Sequence, residues 1–246
     1  MPGTDPDIIV AGHICLDLIP GFRESADALD SLFIPGKLTE VGPVVISTGG
    51  AVSNTGIAIH RLGIPTTLAG KIGDDLFGET VLNVLRANAG TLAEGMVIEE
   101  GASTSYTLVL NPPGVDRIFL HNPGTNDTFV AADVDTEVCR QVKIFHFGYP
   151  SLMRKMYENA GVEFIELMRT VKATGVTTSI DMSYPDPETD AGRADWPRIF
   201  QEALPFVDIF LPSLDETMFL LQHPRYENLD SEMEVSIELL QDVSSR

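Results

Sequence analysis

The sequence predicts an α/β fold in which a mostly parallel sheet is covered by helices on both faces. Short apolar runs of strand length alternate with longer segments whose apolar residues recur at helical spacing. This alternation is typical of parallel sheets, because each helix crosses over to the next strand. The 246 residues suffice for one large domain, and 43% hydrophobic with 21% charged residues is an ordinary globular composition.

Each predicted strand is a short apolar run bounded by turn residues. These runs cover 7–15, 44–48, 66–72, 104–111, 117–121, 143–147, 176–181 and 207–211. Each predicted helix has apolar residues every three or four positions. Five helices are predicted: one that begins after Gly49-Gly50, one that contains Phe77–Leu85, one that contains Val162–Val171, one that begins at Leu214 and one over 231–243. In the third helix, Val162 is expected on the same buried face as Met168 and Val171.

Two segments, about 17–48 and 102–121, interrupt the alternation of strands and helices. Both are rich in strand-forming residues, and Pro112-Pro113-Gly114 in the second indicates a hairpin turn. We expect the two segments to form a small accessory sheet over one main domain that spans 1–246. Ligands in open α/β sheets bind beyond the carboxyl ends of the strands, so polar residues at those ends are the first candidates for a site.

Charge and composition exclude several classes of function. With 16 Lys and Arg against 36 Asp and Glu, the net charge of −20 repels nucleic acids and anionic membrane surfaces. No segment approaches the roughly 20 apolar residues of a membrane span, and residues 1–7 do not resemble a signal peptide. Two cysteines are too few for a disulfide framework. We therefore expect a cytoplasmic chain without nucleic-acid or membrane partners.

The segment Gly49-Gly-Ala-Val-Ser-Asn54 carries the strongest local indication of a binding site. Two glycines at a helix start let unsatisfied backbone N–H groups approach a ligand, and Asn54 offers a donor and an acceptor one turn later. The alternative to a binding site is a glycine turn that serves only to let the helix pack closely on a strand. The spacing does not match the G-x-G-x-x-G motif, which argues against a dinucleotide-binding oxidoreductase.

Three acidic residues lie at or after the ends of predicted strands, and two of them, Asp17 and Asp181, are open to two interpretations. Asp17 comes just after the first strand, where it either accepts hydrogen bonds from ligand hydroxyls or lies in a solvated turn. Asp181 either faces the cleft or belongs to a proline-rich turn. Glu216 stands three residues after Ser213, which by itself is explained as a helix capping box. The five histidines lack metal-ligand spacing.

Taken together, these segments resemble the ribokinase-like, PfkB-type carbohydrate kinases. The resemblance spans the chain and is carried by Asp17, Gly49–Asn54, Arg61-Leu-Gly63, Ala69–Gly78, Asn122–Asp127, Phe145–Tyr149 and Leu211–Glu216. It implies an α/β core with a β-sheet lid, and phosphorylation of a sugar or nucleoside hydroxyl by ATP with Mg²⁺. The residues that would hold the substrate hydroxyls are Asp17, Gly49, Gly50 and Asn54.

The resemblance also implies roles at the carboxyl-terminal end of the chain. Glu216 would organise the hydrated metal ion, although Ser213 stands where the family motif has Asn. The Gly-Ala-Gly-Asp segment that supplies the family's catalytic base and anion hole does not occur in residues 1–246. We therefore expect the chain to correspond to the N-terminal two-thirds of a kinase, with the C-terminal part of the fold missing.

Loss of that segment removes most of the positioning and electrostatic catalysis of phosphoryl transfer. The 246-residue chain alone is thus expected to be inactive and not to bind ATP, while the complete protein uses ATP and Mg²⁺. The alternative is a non-catalytic remnant that binds sugar or associates with itself, including as a homodimer through the lid.

Overall fold

The computed structural model describes residues 6–22, 34–114 and 116–221 of the chain. The helix predicted over 231–243 lies outside the described residues.

Eleven strands are present in the part of the chain that the structure describes. They are β1 Ile8–Gly12, β2 Cys15–Pro20, β3 Val44–Gly49, β4 Thr66–Ala69, β5 Lys71–Gly73, β6 Val97–Glu99, β7 Tyr106–Leu110, β8 Ile118–Asn122, β9 Ile144–Gly148, β10 Thr177–Asp181 and β11 Ile209–Phe210. The α-helices within the same ranges are α1 Gly50–Arg61, α2 Leu76–Asn88, α3 Thr136–Cys139, α4 Arg154–Lys172, α5 Trp196–Ala203 and α6 Leu214–Leu220.

The main sheet has five parallel strands in the order β11-β10-β9-β1-β4. The side chains of β1, which lies between β9 and β4, point alternately into two cores. Ile8 and Val10 pack in the cluster with residues of α1 and α2, whereas Ile9 and Ala11 pack in the cluster with residues of α4 and α5. Helices therefore cover both faces of a parallel sheet, and the predicted fold class is confirmed.

A second sheet joins strands of the two interrupting segments in the order β3-β2-β7-β8. We call it the lid sheet. Strands β2 and β3 pair antiparallel, as do β7 and β8, while β2 and β7 run parallel. One face packs on α2, where the ring of Tyr106 meets that of Phe77 edge-on at 5.3 Å between centroids. The opposite face carries Asp17, whose side chain lies on the other side of the pleat from Leu16 and Leu18.

Two predicted strands are each divided in the structure. The run 7–15 breaks at Gly12, which has φ +117° and where an added Cβ would lie 2.4 Å from the carbonyl oxygen of Gly148. The chain turns there, leaves the main sheet and enters the lid sheet at Cys15. Asp17 consequently lies within a lid strand rather than just after the first strand. The run 66–72 divides into β4 of the main sheet and β5, which pairs with β6.

The expected position of Val162 on the buried face of α4 is wrong. Its side chain is 58% exposed, whereas Met168 and Val171 are fully buried. The reason is a left-handed turn inside α4, where Asn159 and Ala160 have φ of 51° and 59° and Gly161 has 73°. This turn interrupts the helical periodicity. Across the described ranges, no helix is both long enough and apolar enough to cross a membrane.

Candidate functional site

Asp17 lies at the centre of β2, opposite Ser47 of β3 and Thr107 of β7. Its carboxylate packs directly on Gly49, where an added Cβ would lie 2.4 Å from Oδ2. The Cys15 thiol donates a hydrogen bond to Oδ1 at 3.3 Å. Partial burial raises the pKa of Asp17, while the hydrogen bond from Cys15 and the nearby hydroxyl of Thr107, which donates to the Cys15 sulfur at 3.5 Å, favour the charged form. The sequence thus provides a glycine where the carboxylate needs space.

The glycine turn packs closely on the ends of two main strands. Gly50 has φ +84°, and an added Cβ would lie 2.4 Å from the carbonyl oxygen of His13, just after β1. Ala51 lies against Gly148 at the end of β9. The close packing that sequence analysis offered as the alternative is therefore present. The start of α1 has no side-chain cap; the Val52 amide donates to the His13 carbonyl at 3.2 Å, and the other N–H groups of this first turn face the carboxyl edge of the sheet without a capping side chain.

The structure brings three of the predicted substrate-binding residues together, namely Asp17, Gly49 and Gly50. Asn54 lies one turn into α1, with its side chain exposed.

A pair of histidines lies between the glycine turn and the lid sheet. Nε2 of His13 is 3.4 Å from Nε2 of His121, and Nδ1 of His121 is 2.9 Å from the hydroxyl of Thr107. Burial, and then the neighbouring His121, lower the pKa of His13 to about 3. Sequence analysis missed this pair because the two residues are 108 positions apart. His13 also lay inside the predicted strand 7–15, and only the break at Gly12 places it after β1 at the edge of the main sheet.

Acidic residues occupy the neighbouring part of the same edge. Asp181 ends β10, and burial, with a contribution from the charge of Glu216, raises its pKa to about 6 against the hydrogen bond from the Met182 amide. Tyr149 follows β9 in a left-handed conformation, and its ring centroid is 6.2 Å from that of His13. Its amide donates to the Asp181 carbonyl at 3.0 Å, and burial, followed by the charges of Asp181 and Glu216, raises the pKa of its hydroxyl, so Tyr149 lies near both the histidine pair and the two carboxylates.

Glu216 also completes the capping box that its spacing predicts. Its Oε2 accepts from the Ser213 amide at 2.7 Å, and the Ser213 hydroxyl accepts from the Glu216 amide at 3.2 Å. Among the described residues, no group of three or more His, Cys, Asp or Glu side chains could hold a metal ion. Because the charge of Glu216 contributes to the raised pKa of Asp181, the two carboxylates belong to the same part of this edge, and carboxylate oxygens are ligands that divalent cations accept.

Comparison with known proteins identifies the family. A family model described as pfkB family carbohydrate kinase matches residues 6–246. The chain belongs to the pfkB family of carbohydrate kinases. Its predicted assignment to a transferase family of sugar kinases is confirmed.

Relatives of this pfkB-family chain include plant fructokinases. It is 31% identical over 225 residues to fructokinase-2 of Oryza sativa subsp. japonica, covering 89% of the chain and 61% of that protein. It is 33% identical over 191 residues to fructokinase-2 of Zea mays, covering 75% of the chain and 54% of that protein. The chain thus spans less than two-thirds of the length of these relatives.

Solved structures support the ribokinase-like fold. Arabidopsis thaliana ribokinase complexed with ribose and ATP aligns with a TM-score of 0.69 at 16% identity, covering 98% of the chain and 68% of that structure. Fructokinase with bound ATP from Xylella fastidiosa aligns with a TM-score of 0.67 at 19% identity, covering 98% of the chain and 69% of that structure. At such identities, the likeness shows the fold.

Proposed function

We propose that this chain binds a sugar in the cleft between the main sheet and the lid sheet, as the sugar-binding part of an ATP-dependent sugar kinase. The observation that carries the proposal is the contact of Asp17 with Gly49. The half-buried carboxylate of Asp17 lies against the backbone of Gly49, where no side chain intervenes, and beside the start of α1, which has no side-chain cap. Such a site offers a charged acceptor and several N–H donors within a small space, which suits a ligand rich in hydroxyl groups.

Each predicted residue has a distinct role in this proposal. The carboxylate of Asp17 accepts hydrogen bonds from sugar hydroxyls, and its position on the lid sheet fixes the sugar relative to the main sheet. Gly49 and Gly50 allow the sugar to approach the backbone. Asn54, exposed one turn into α1, supplies an amide that both donates and accepts.

ATP and Mg²⁺ are proposed as cofactors of the complete kinase, and the two solved relatives named with ATP support the nucleotide. Burial and then the charge of Glu216 raise the pKa of Asp181, and a hydrated divalent cation beside these carboxylates would favour their ionised forms. Mg²⁺ would neutralise charge on the transferring phosphate. We propose that these two residues hold the ion through water.

We further propose that residues 1–246 bind sugar without phosphorylating it. The reason is the lack of a Gly-Ala-Gly-Asp segment in this sequence, since catalysis of phosphoryl transfer depends on positioning and on stabilising the developing charge. A coupled assay of ADP release with fructose is expected to show no turnover. Turnover above a protein-free control would contradict this part of the proposal.

Calorimetric titration of the chain with D-fructose, D-ribose and adenosine tests the binding site. One of the two sugars is expected to bind, and Asp17→Ala is expected to abolish that binding while the thermal unfolding transition persists. Asp116→Ala is the matched control, because the Asp116 side chain is 98% exposed at the far end of the lid hairpin. Binding that survives Asp17→Ala would remove Asp17 from the site. Binding of adenosine alone would make the chain a nucleoside binder.

Self-association through the lid sheet is a second candidate function. Val45 and Phe119 are 61% and 55% exposed, and they lie on the face of the lid sheet that carries Asp17. Sedimentation of the chain is expected to show a dimer that Val45→Lys together with Phe119→Lys converts to a monomer. A monomeric unmodified chain would refute this candidate without affecting the sugar-binding proposal.

A further inference from the structure

A row of polar side chains crosses the lid sheet on its cleft side. Asp17 is paired in register with Thr107, and Thr107 with His121, so the three side chains emerge on one face of three adjacent strands. Residues Leu16, Leu18 and Tyr106, on the alternate positions, pack in the apolar cluster below. The row therefore does not belong to the core of the protein.

The hydrogen bonds along this row have a definite direction. An ionised Asp17 only accepts, so the Cys15 thiol donates to its Oδ1 at 3.3 Å, and the single hydroxyl proton of Thr107 is donated to the Cys15 sulfur at 3.5 Å. The Thr107 oxygen then accepts from Nδ1–H of His121, 2.9 Å away. With its proton on Nδ1, neutral His121 presents a bare Nε2, which accepts from Nε2–H of His13 at 3.4 Å.

This assignment also accounts for the one nitrogen in the row that has no partner. If His13 donates through Nε2, its Nδ1 carries no proton, and Nδ1 is the buried atom without a hydrogen-bond partner beside Gly50. Because Nδ1 of His13 carries no proton in this assignment, it does not need a hydrogen-bond acceptor from the closely packed backbone of the glycine turn. Five side chains thus form a relay, from His13 through His121, Thr107 and Cys15 to Asp17, in which each group donates to the next.

We propose that Thr107, held by His121, is a positioning residue for Asp17 and thereby sets the affinity of the site for sugar. The inference rests on the proposed function and extends it to two residues of the lid sheet. Thr107 donates to the Cys15 sulfur and the Cys15 thiol donates to Asp17, so together they fix the carboxylate and leave its remaining lone pairs for the ligand. Thr107 does not touch the sugar in this proposal but acts through the carboxylate.

The test compares Thr107→Val with Thr107→Ser in calorimetric titrations with D-fructose. Valine keeps the shape of the buried side chain and removes the hydroxyl that donates to Cys15, so the dissociation constant is expected to rise about fivefold, as for loss of one neutral hydrogen bond. Serine keeps the hydroxyl and is expected to restore binding. Thr66→Val is the matched control, because Thr66 is 5% exposed, bonds the Ile64 carbonyl, and lies at the opposite end of the main sheet.

A second measurement does not depend on any sugar. The ¹³C resonance of the Asp17 carboxyl, followed against pH, reports its pKa directly. Loss of hydrogen-bond support for the ionised form raises a carboxyl pKa, so Thr107→Val is expected to titrate at higher pH than the unmodified chain and Thr107→Ser is not. His121→Phe frees the Thr107 hydroxyl to rotate and is expected to shift the titration in the same direction by less.

The outcomes separate this inference from the function on which it rests. If the unmodified chain binds fructose and Asp17→Ala does not, but Thr107→Val binds as tightly as the unmodified chain, the positioning role is wrong and the sugar site stands. An unchanged Asp17 titration in Thr107→Val overturns the relay on its own. If no sugar binds to the unmodified chain, the proposed function fails, while a shifted titration still demonstrates the relay.

Discussion

At the scale of single residues, the contact between Gly49 and Asp17 can be tested by a pair of substitutions. Gly49 has φ −121°, a conformation that alanine adopts freely, so only the carboxylate opposes a methyl group there. Gly49→Ala is expected to lower the free energy of unfolding by about 1–3 kcal/mol, the usual cost of overpacking. In an Asp17→Ala background, most of that cost is expected to disappear in urea unfolding.

Gly50→Ala is the contrasting variant. Gly50 has φ +84° and faces the backbone carbonyl of His13, neither of which changes when Asp17 is replaced. Its cost is therefore expected to be the same in both backgrounds. An equal cost of Gly49→Ala with and without the Asp17 carboxylate would contradict the contact.

The buried carboxyl of Asp181 predicts how stability depends on pH. Its pKa of about 6 in the folded chain exceeds the ordinary value of about 3.9 in an unfolded chain. The folded state therefore binds its proton more tightly, and stability falls as pH rises from about 4 to 6. Asp181→Asn keeps an oxygen for the Met182 amide and is expected to raise stability at pH 7.5 by about 1 kcal/mol, allowing for solvent screening.

Thermal unfolding at pH 4 and pH 7.5 checks this prediction. At pH 4 the carboxyl is protonated and Asp181→Asn is expected to change the melting temperature little. Asp116→Asn is the control at both pH values, because the Asp116 side chain is 98% exposed. A stabilisation by Asp181→Asn that is equal at the two pH values would show that ionisation is not its cause.

At the scale of elements, the left-handed turn in α4 makes a prediction with a defined sign. Ala160 has φ 59°, a left-handed conformation that is strained for a residue with a Cβ atom and unstrained for glycine. Ala160→Gly is expected to stabilise the chain by about 1 kcal/mol. Ala87→Gly, in the regular helix α2, is expected to destabilise it by about 0.5–1 kcal/mol. The same sign for both substitutions in urea unfolding would contradict a left-handed backbone at Ala160.

Elements also show which features the sequence could predict. Strands such as β9 and β10 were predicted because apolar runs report burial on both faces of a parallel sheet, independently of their partners. The break at Gly12 was missed because it depends on the carbonyl of Gly148, which is distant in sequence. The glycine turn was found from local chemistry. The row through Thr107 and His121 was not, because strand register is a tertiary property.

At the scale of the whole molecule, the acidic excess should act as a general destabilising term. A net charge of −20 places many carboxylates within reach of one another, and mutual repulsion favours the expanded chain. Attractive pairs act in the opposite direction. Lys71 lies 3.1 Å from Asp133 and 3.3 Å from Glu99, and its side chain is only 10% exposed. Salt screens such a buried pair much less than it screens charges at the surface.

The melting temperature is therefore expected to rise with ionic strength. Between 0.01 M and 0.1 M salt, the screening length falls from about 30 Å to about 10 Å, which weakens repulsion across the surface and leaves the Lys71 pairs largely intact. Scanning calorimetry in NaCl and in choline chloride should give the same increase, because screening does not depend on the cation. A melting temperature that falls with salt would mean that surface ion pairs, rather than the excess of carboxylates, dominate the electrostatic free energy of folding.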